Sequence, residues 1–403
     1  VTVLVAGAGI GGLTAALSLH AAGIDVVVVE SVRRVRPLGV GINLLPHAVR
    51  ELTELGLGDR LAATGVATAE NVYCDRSGAT VFTEPRGRAV GYHWPQYSIH
   101  RGELQLLLLA AVRERLGSDA VRTGLRLVDF TDPDPRGAAP VRVRLTDRAT
   151  GETVSMDAEA LVGADGLHSV VRARLCPGGD PLLWSGVRMW RGVTEADPFL
   201  TGRSMVIVPD GDAELVAYPI GRGRINWVCQ VRVAEPGPLA EDAGWNRAGR
   251  LGDVLPHFEH FALGWLDVPG LLSGCPSILE YPMVDRDPLP TWGRGRVTLL
   301  GDAAHPMYPV GANGASQAVV DARVLAWELA AAGDDVPAGL ARYASVRREA
   351  TTAVVRANRA MSRASGRTAR ELARITDVYR RNTGSEVAQL NSRASLAWPG
   401  PVR

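Results

Sequence analysis

The run Gly7-Ala-Gly9-Ile-Gly11-Gly12 stands between two hydrophobic segments of different period, and this constrains the fold more than any other stretch. Before it, Thr2–Ala6 is unbroken apolar sequence, the pattern of a parallel strand buried on both faces. After it, Ile10, Leu13, Ala16, Leu17 and Ala21 recur at helical spacing over 10–22, and Gly23 can close that helix in a left-handed conformation. Asp25–Glu30 then reads as a second buried strand. In such a strand–turn–helix unit Gly7 allows the tight turn and Gly9 lets the backbone approach a pyrophosphate. Gly12 permits close helix–strand packing, and the helix N-terminus meets the negative charge. Glu30 ends the second strand 18 residues beyond Gly12, where a carboxylate can take two ribose hydroxyls. A dinucleotide-binding fold is expected; the motif does not separate FAD from NAD.

The rest of the chain shows two interleaved textures. A helix is expected over 102–116, strands over 125–130 and 141–145, and buried strands at Ala160–Gly163 and Val297–Leu300, with a long helix from near Ala315. Residues 71–97 and 177–277 are different, with short alternating β segments such as Met205–Val208, Leu215–Tyr218 and Ile225–Val231. The expected class is α/β: a Rossmann-like domain, a parallel sheet with helices, assembled discontinuously from 1–70, 98–176 and 278–345. A β-rich substrate domain made of 71–97 and 177–277 is inserted in it, and 346–403 forms a C-terminal helical segment. The arginines of 342–374 read as a solvated helix face, with an oligomer contact as the other reading.

Two further glycine turns follow buried strands. Leu161-Val-Gly-Ala-Asp165-Gly166 leads into a helix with Ser169 near its start, and an ordinary strand–helix connection would look the same. In Gly301-Asp302-Ala-Ala-His305-Pro-Met-Tyr-Pro309-Val-Gly311-Ala-Asn313-Gly314-Ala315-Ser316, a strand-end carboxylate can accept from a polyol hydroxyl. The helix start that follows offers free N–H groups and a positive dipole to an anionic heterocycle. Two anion-receptive helix starts about 300 residues apart suit one long ligand, a diphosphate at one end and a ring at the other.

Composition removes several chemistries. All 44 basic residues are arginine, so no Schiff base, P-loop lysine or catalytic ammonium is available. A net charge of +1 gives no argument for nucleic acid or a membrane surface. The apolar stretch Leu104–Val112 is far too short to span a bilayer. Cys74, Cys176, Cys229 and Cys275 are isolated, with no metal-ligand spacing, and read as thiols in a reducing compartment. No metal, no secretory leader and a cytoplasmic location are expected.

Together the three turns resemble the group A FAD-dependent aromatic monooxygenases, the para-hydroxybenzoate hydroxylase superfamily, over about residues 1–345. The segments Tyr97–Gln105, Met189–Glu195 and Tyr281–Pro290 are similar to the branch that modifies phenazines, hydroxylating a methylated phenazine carboxylate with loss of the carboxyl group. The resemblance implies that Gly7, Gly9 and Gly12 cradle the FAD diphosphate, Glu30 takes the adenosine ribose and Arg101 reaches the flavin side chain or diphosphate. Asp165 and Gly166 belong to a turn used for FAD and pyridine-nucleotide contacts, and Asp302 binds the ribityl or diphosphate region. Gly314 and Ala315 would present N–H groups to the flavin, Pro309 and Gly311 would border its oxygen-reacting face, and Val40-Gly41-Ile42 would line the path of the ring. The helix start departs from the more common Gly-Gln-Gly-type run, so Asn313 joins the cofactor-side residues without an assigned contact.

The implied activity is hydroxylation of an electron-rich aromatic, fused or carboxylated, with NADPH or NADH and O2 as co-substrates. The chain would act as a monomer or homodimer. Pro309, Gly311, Gly314 and Ala315 would serve the reacting face by backbone groups, so no side-chain nucleophile is required. Trp190, Tyr218, Trp227, Met283 and Tyr308 are candidate walls for a planar ring, though such residues commonly fill cores. Arg188 or Arg191 could pair with a substrate carboxylate, and His305 is expected to fix its loop. A flavin-dependent halogenase shares this fold, but the missing lysine and the missing Trp-x-Trp-x-Ile-Pro element count against it. A flavin-binding sequestration protein without turnover, and a hydroxylase or epoxidase of a different aromatic, are the alternatives.

Overall fold

The computed structural model describes residues 2–131, 139–239 and 247–363, together with 368, 370, 371 and 374. A six-stranded sheet carries the nucleotide half. Its order is Val121–Thr123, Asp25–Glu30, Thr2–Ala6, Ala160–Gly163 and Val297–Leu299, all parallel, with Gly293–Arg294 antiparallel at the far edge. Val3, Val5, Leu161, Val162 and Leu299 are fully or almost fully buried, as a sheet covered on both faces requires.

The helix Ile10–Ala21 lies against the long helix Gly314–Ala332. Gly11 permits this approach, since a Cβ there would sit 2.6 Å from Leu300 Cδ2 and 3.3 Å from Ala318 Cβ. The helix Arg101–Leu116 packs on the other side of Ile10–Ala21 and sinks Leu104, Leu108, Ala111 and Val112 into the same core. A small sheet, Gly41–Leu44, Gln96–His100 and Val66–Thr68, borders the nucleotide half, and a second, Leu125–Phe130, Val141–Asp147 and Thr153–Ala158, flanks it.

The inserted part is a large, mainly antiparallel sheet. Its main path runs Arg247–Ala248, Leu279–Asp285, Leu183–Glu195, Arg224–Arg232, Ala213–Pro219, Ser204–Asp210, Glu70–Cys74 and Thr80–Pro85. The hairpin 70–85 pairs with the later insertion through Glu70–Cys74 and Ser204–Asp210. Leu279–Asp285, which the sequence division leaves with the nucleotide domain, hydrogen-bonds to Leu183–Glu195 in this sheet. Its alternating burial is that of a two-faced antiparallel strand.

The chain leaves for this sheet and returns from it at one place. Arg172, 2% exposed, pairs with Asp180 and donates to the carbonyls of Ala303 and Ala304 at 3.1 and 2.8 Å. It also reaches the carbonyl of Asp287, and Arg286 pairs with Asp180. Outgoing and returning chain are therefore clamped together.

The last long helix is Val336–Ser362. Its arginines do not all form a solvated face: Arg347 is buried against Asp321, and Arg359 pairs with Asp285 and Asp287. Most of the expected helical segment beyond 363 lies outside the described residues. No described helix is long and apolar enough to cross a membrane, and no group of three or more His, Cys, Asp or Glu that could hold a metal occurs among the described residues. All four cysteines are free.

Candidate active site

The first two turns touch backbone to backbone. Gly7 has φ +109°, and a Cβ there would lie 2.4 Å from the Ala164 carbonyl oxygen. A Cβ on Gly12 would lie 2.0 Å from the Gly7 oxygen. Gly9 is the exception, since a Cβ there meets nothing within 4 Å. That opening at a helix start is the space a phosphate needs. Glu30 accepts from the Ala8 and Val32 N–H groups at 2.8 and 2.9 Å, so its carboxylate is aimed at the glycine turn. Gln105 supports this turn from the neighbouring helix, donating to the Ala8 carbonyl at 2.7 Å. Its helical register relative to Arg101 was the available signal, and the motif analysis gave it no role. Arg101 is exposed, its N–H bonded to the carbonyl of the buried Val40, and its side chain passes Gly39.

Asp165 caps the short helix Val170–Leu175, accepting from the Val170 N–H at 2.8 Å through Oδ2. Burial raises its pKa, against the pull of hydrogen bonds from Ser169, Val170 and Val171. Its other oxygen, Oδ1, is buried without a partner among the described residues. Gly166 follows at φ +79°.

Around the third turn, Asp302 is exposed and no described group hydrogen-bonds its carboxylate. Its Oδ1 lies 3.9 Å from where a Cβ on Gly314 would be, beside the helix start. A buried network holds the loop from behind. Asp321 accepts from the Gly301 N–H at 3.1 Å and Arg347 Nε at 2.7 Å, and meets His305 Nε2 at 2.5 Å. Burial pushes the Asp321 carboxyl up, but His305 and Arg347 outweigh it and its pKa is lowered. His305 is thus the loop fastener expected of it. Gly311 and Ala312 follow one another at φ +74° and +58°, and the non-glycine residue stores strain of about 1 kcal/mol. Asn313 is buried, and its carbonyl accepts from the Gln317 N–H at 2.8 Å. The first N–H groups of the helix, from Gly314 and Ala315, have no intrahelical acceptor. Ser316 Oγ accepts from the Leu45 N–H at 3.1 Å and ties this start to the Gly41–Leu44 strand.

The five ring-wall candidates divide between the two faces of the large sheet. Met283 and Tyr308 pack with Val187, Met189, Tyr281 and Val310 on the side of the Pro309–Gly311 loop. Tyr218 is on that side too, its hydroxyl beside Arg191, Asn43 and Asn226. Burial raises its pKa, the arginine working against this. Trp190 and Trp227 point the other way. They fill the outer core with Phe258, Val254 and Leu272, and Trp227 Nε1 donates to Thr194 Oγ1 at 3.0 Å. Strand alternation is the reason, since Trp190 lies between Met189 and Arg191 on the opposite face. Arg188 shares the outer face, paired with Glu280 and half-exposed. Asn226 was not singled out in the sequence; it holds the Gly41 N–H at 2.6 Å while Arg191 donates to the Gly41 carbonyl at 2.8 Å.

The open Gly9 turn, the orphaned Asp165 oxygen, the free Asp302 carboxylate and the uncovered helix start fit a long dinucleotide laid across all three turns. The chain matches the FAD binding domain family over residues 1–181 and 284–358. The chain belongs to this family. It is similar to the phenazine 1,6-dicarboxylic acid hydroxylase PhzS of Lysobacter antibioticus, 59% identical over 368 residues and 89% of each chain. A 3-hydroxybenzoate 6-hydroxylase of Aquipseudomonas alcaligenes is 35% identical, over 83% of this chain and 82% of the relative. Among solved structures, Klebsiella pneumoniae HpxO complexed with FAD and uric acid superposes with a TM-score of 0.77 at 25% identity, over 99% of this chain and 97% of HpxO. The protein is an FAD-dependent monooxygenase, as the motif resemblance implied.

Proposed function

We propose that this flavoenzyme hydroxylates a phenazine that bears a carboxylate, and that a carboxyl group at the reacting carbon is lost as the hydroxyl takes its place. The balance then closes with one O2 and one NAD(P)H: one oxygen atom enters the ring, the other leaves as water, and the carboxyl group leaves as CO2. FAD, when bound, supplies the hydride acceptance and oxygen activation that no side chain here can. Gly7, Gly9, Gly12, Glu30, Arg101, Asp165, Gly166, Asp302 and Asn313 belong to its binding frame. Gly314 and Ala315 present N–H groups where negative charge must be held, replacing the cationic side chain that a lysine-free chain lacks. Val40 and Gly41 border the ring, and Pro309 and Gly311 shape the reacting face. Met283 and Tyr308 exclude water from it, their apolar surfaces continuing those of Met189 and Tyr281.

One observation carries this reading: the apolar cluster of Met189, Tyr281, Met283 and Tyr308 lies against the very loop that leads to the open helix start. The similarity to the Lysobacter hydroxylase supports the phenazine. The reading places the enzyme in the cytoplasm, beside the reduced pyridine nucleotide, as a monomer or homodimer. The test is NADPH and NADH oxidation with O2 uptake by the purified yellow protein, with and without phenazine carboxylates, and product mass analysis. The expected result is substrate-stimulated oxidation and a product carrying one new oxygen. Oxidation indifferent to every phenazine would refute the substrate.

A further inference from the structure

The most deeply set arginines among the described residues are matched to carboxylates. Arg172 pairs with Asp180, Arg347 with Asp321 at 2.7 Å and Arg359 with Asp285 at 2.6 Å. Arg232 departs from this with two carbonyl partners, Ser185 and Ser362, and Arg191 departs from it further. It is half-buried, no acid pairs with it among the described residues, and its buried Nε has no hydrogen-bond partner there. Its hydrogen-bond partners are neutral ones, the Gly41 carbonyl at 2.8 Å and the Tyr218 hydroxyl. An uncompensated guanidinium withdrawn from water is costly, and an anion supplied from outside the chain removes the cost.

The surroundings say what sort of anion. Strand register places Arg191 in one cross-strand row with Ile207, Val216, Val228 and Leu279. Each of these four apolar side chains is half-exposed, although they share the face that meets the nucleotide half. Arg191 is flanked by the hydroxyls of Tyr218 and Tyr281, both under its electrostatic influence. An apolar floor with a cation that has no acid partner, set between two phenols, is complementary to a planar aromatic with a carboxylate at its edge.

We infer that Arg191 is the carboxylate anchor of the substrate site, with the aromatic rings lying on the Val216–Val228 part of this row. The inference rests on the aromatic-hydroxylase reading and adds the residue that selects the acid. It also makes Tyr218 and Tyr281 secondary hydrogen-bond partners of the same carboxylate.

The test is a matched pair of ligands, phenazine-1-carboxylate and its uncharged carboxamide, titrated into FAD-loaded protein and followed by the flavin absorbance change. Wild type should prefer the acid. Arg191→Gln should lose about 30-fold or more in affinity for the acid and nothing for the amide. Arg191→Lys keeps the charge without the fork and should recover part of the loss. An acid affinity unchanged in Arg191→Gln, or equal losses for acid and amide, would overturn the assignment; the latter would mark Arg191 as a prop for Gly41. If wild type binds neither phenazine, the same variants are titrated with 3-hydroxybenzoate and 3-hydroxybenzamide. Arg191-dependent discrimination there leaves the anchor standing while the phenazine reading fails, and its absence overturns the anchor as well.

Discussion

Four glycines crowd into the first turn, and they are there for different reasons. Gly12 and Gly7 are required by the chain itself, since a side chain would collide with backbone that cannot move. Gly9 faces open space. Gly12→Ala should therefore cost about 3 kcal/mol or more of stability in the flavin-free protein, by the ordinary penalty of overpacking. Gly9→Ala should leave the urea midpoint of that protein unchanged yet lower its flavin occupancy after reconstitution, because the methyl group occupies the cofactor's space. Urea curves and FAD content of the two variants check this. The sequence pattern alone treats these glycines alike, and neighbouring atoms separate them. Gly11 shows the same limit: its role depends on Leu300 and Ala318, distant in sequence and invisible to a local motif.

The long helix Gly314–Ala332 carries two duties along its length. Its first N–H groups have no intrahelical acceptor, and about two turns further in Asp321 locks the preceding loop. Asp302 and Asp321 accordingly make an opposed pair. Asp302→Ala should keep the stability of the flavin-free protein and lose FAD affinity. Asp321→Ala should cost about 3–5 kcal/mol by leaving Arg347 buried and unpaired. Denaturation and flavin-binding titrations of both variants separate the two roles. Strands, helices and the three turns were legible in the sequence because each is a local pattern of period and glycine placement. Expected helix bounds of 102–116 and a start near Ala315 differ from the observed Arg101–Leu116 and Gly314–Ala332 by one residue. The substrate face was less legible. Trp190 and Trp227 have the composition of a ring wall, but their outward direction is set by strand register against 279–285 and 213–219. Pairing partners so far apart in sequence leave no local trace.

At the scale of the whole molecule, stability is tied to pH through a group outside the three glycine turns. The Nε2 atom of His47 is buried without a partner among the described residues, and burial and the Arg347 guanidinium lower the pKa of the ring to about 4. The unfolded chain binds that proton near pH 6.5 and the folded one only near 4, so the unfolded state holds more protons in between. The contribution is complete above 6.5, falls as the pH drops toward 4, and amounts to about 3 kcal/mol. Glu51, raised to about 8 by burial and by Glu54, runs the other way. The His47 share is therefore read as a difference: His47→Leu should show a shallower loss of stability than wild type between pH 6.5 and 5. Parallel curves would rule out this role. The clamp of Arg172, Asp180 and Arg286 has a consequence of another kind. Because chain exit and re-entry are pinned side by side, everything from 183 to 285 is, topologically, one loop of the nucleotide half. Such a loop can be exchanged as a cartridge by recombination at two breakpoints, with the hairpin 70–85 left behind as its docking edge. Diversification can then proceed by replacing the inserted sheet while the FAD-binding half is inherited unchanged.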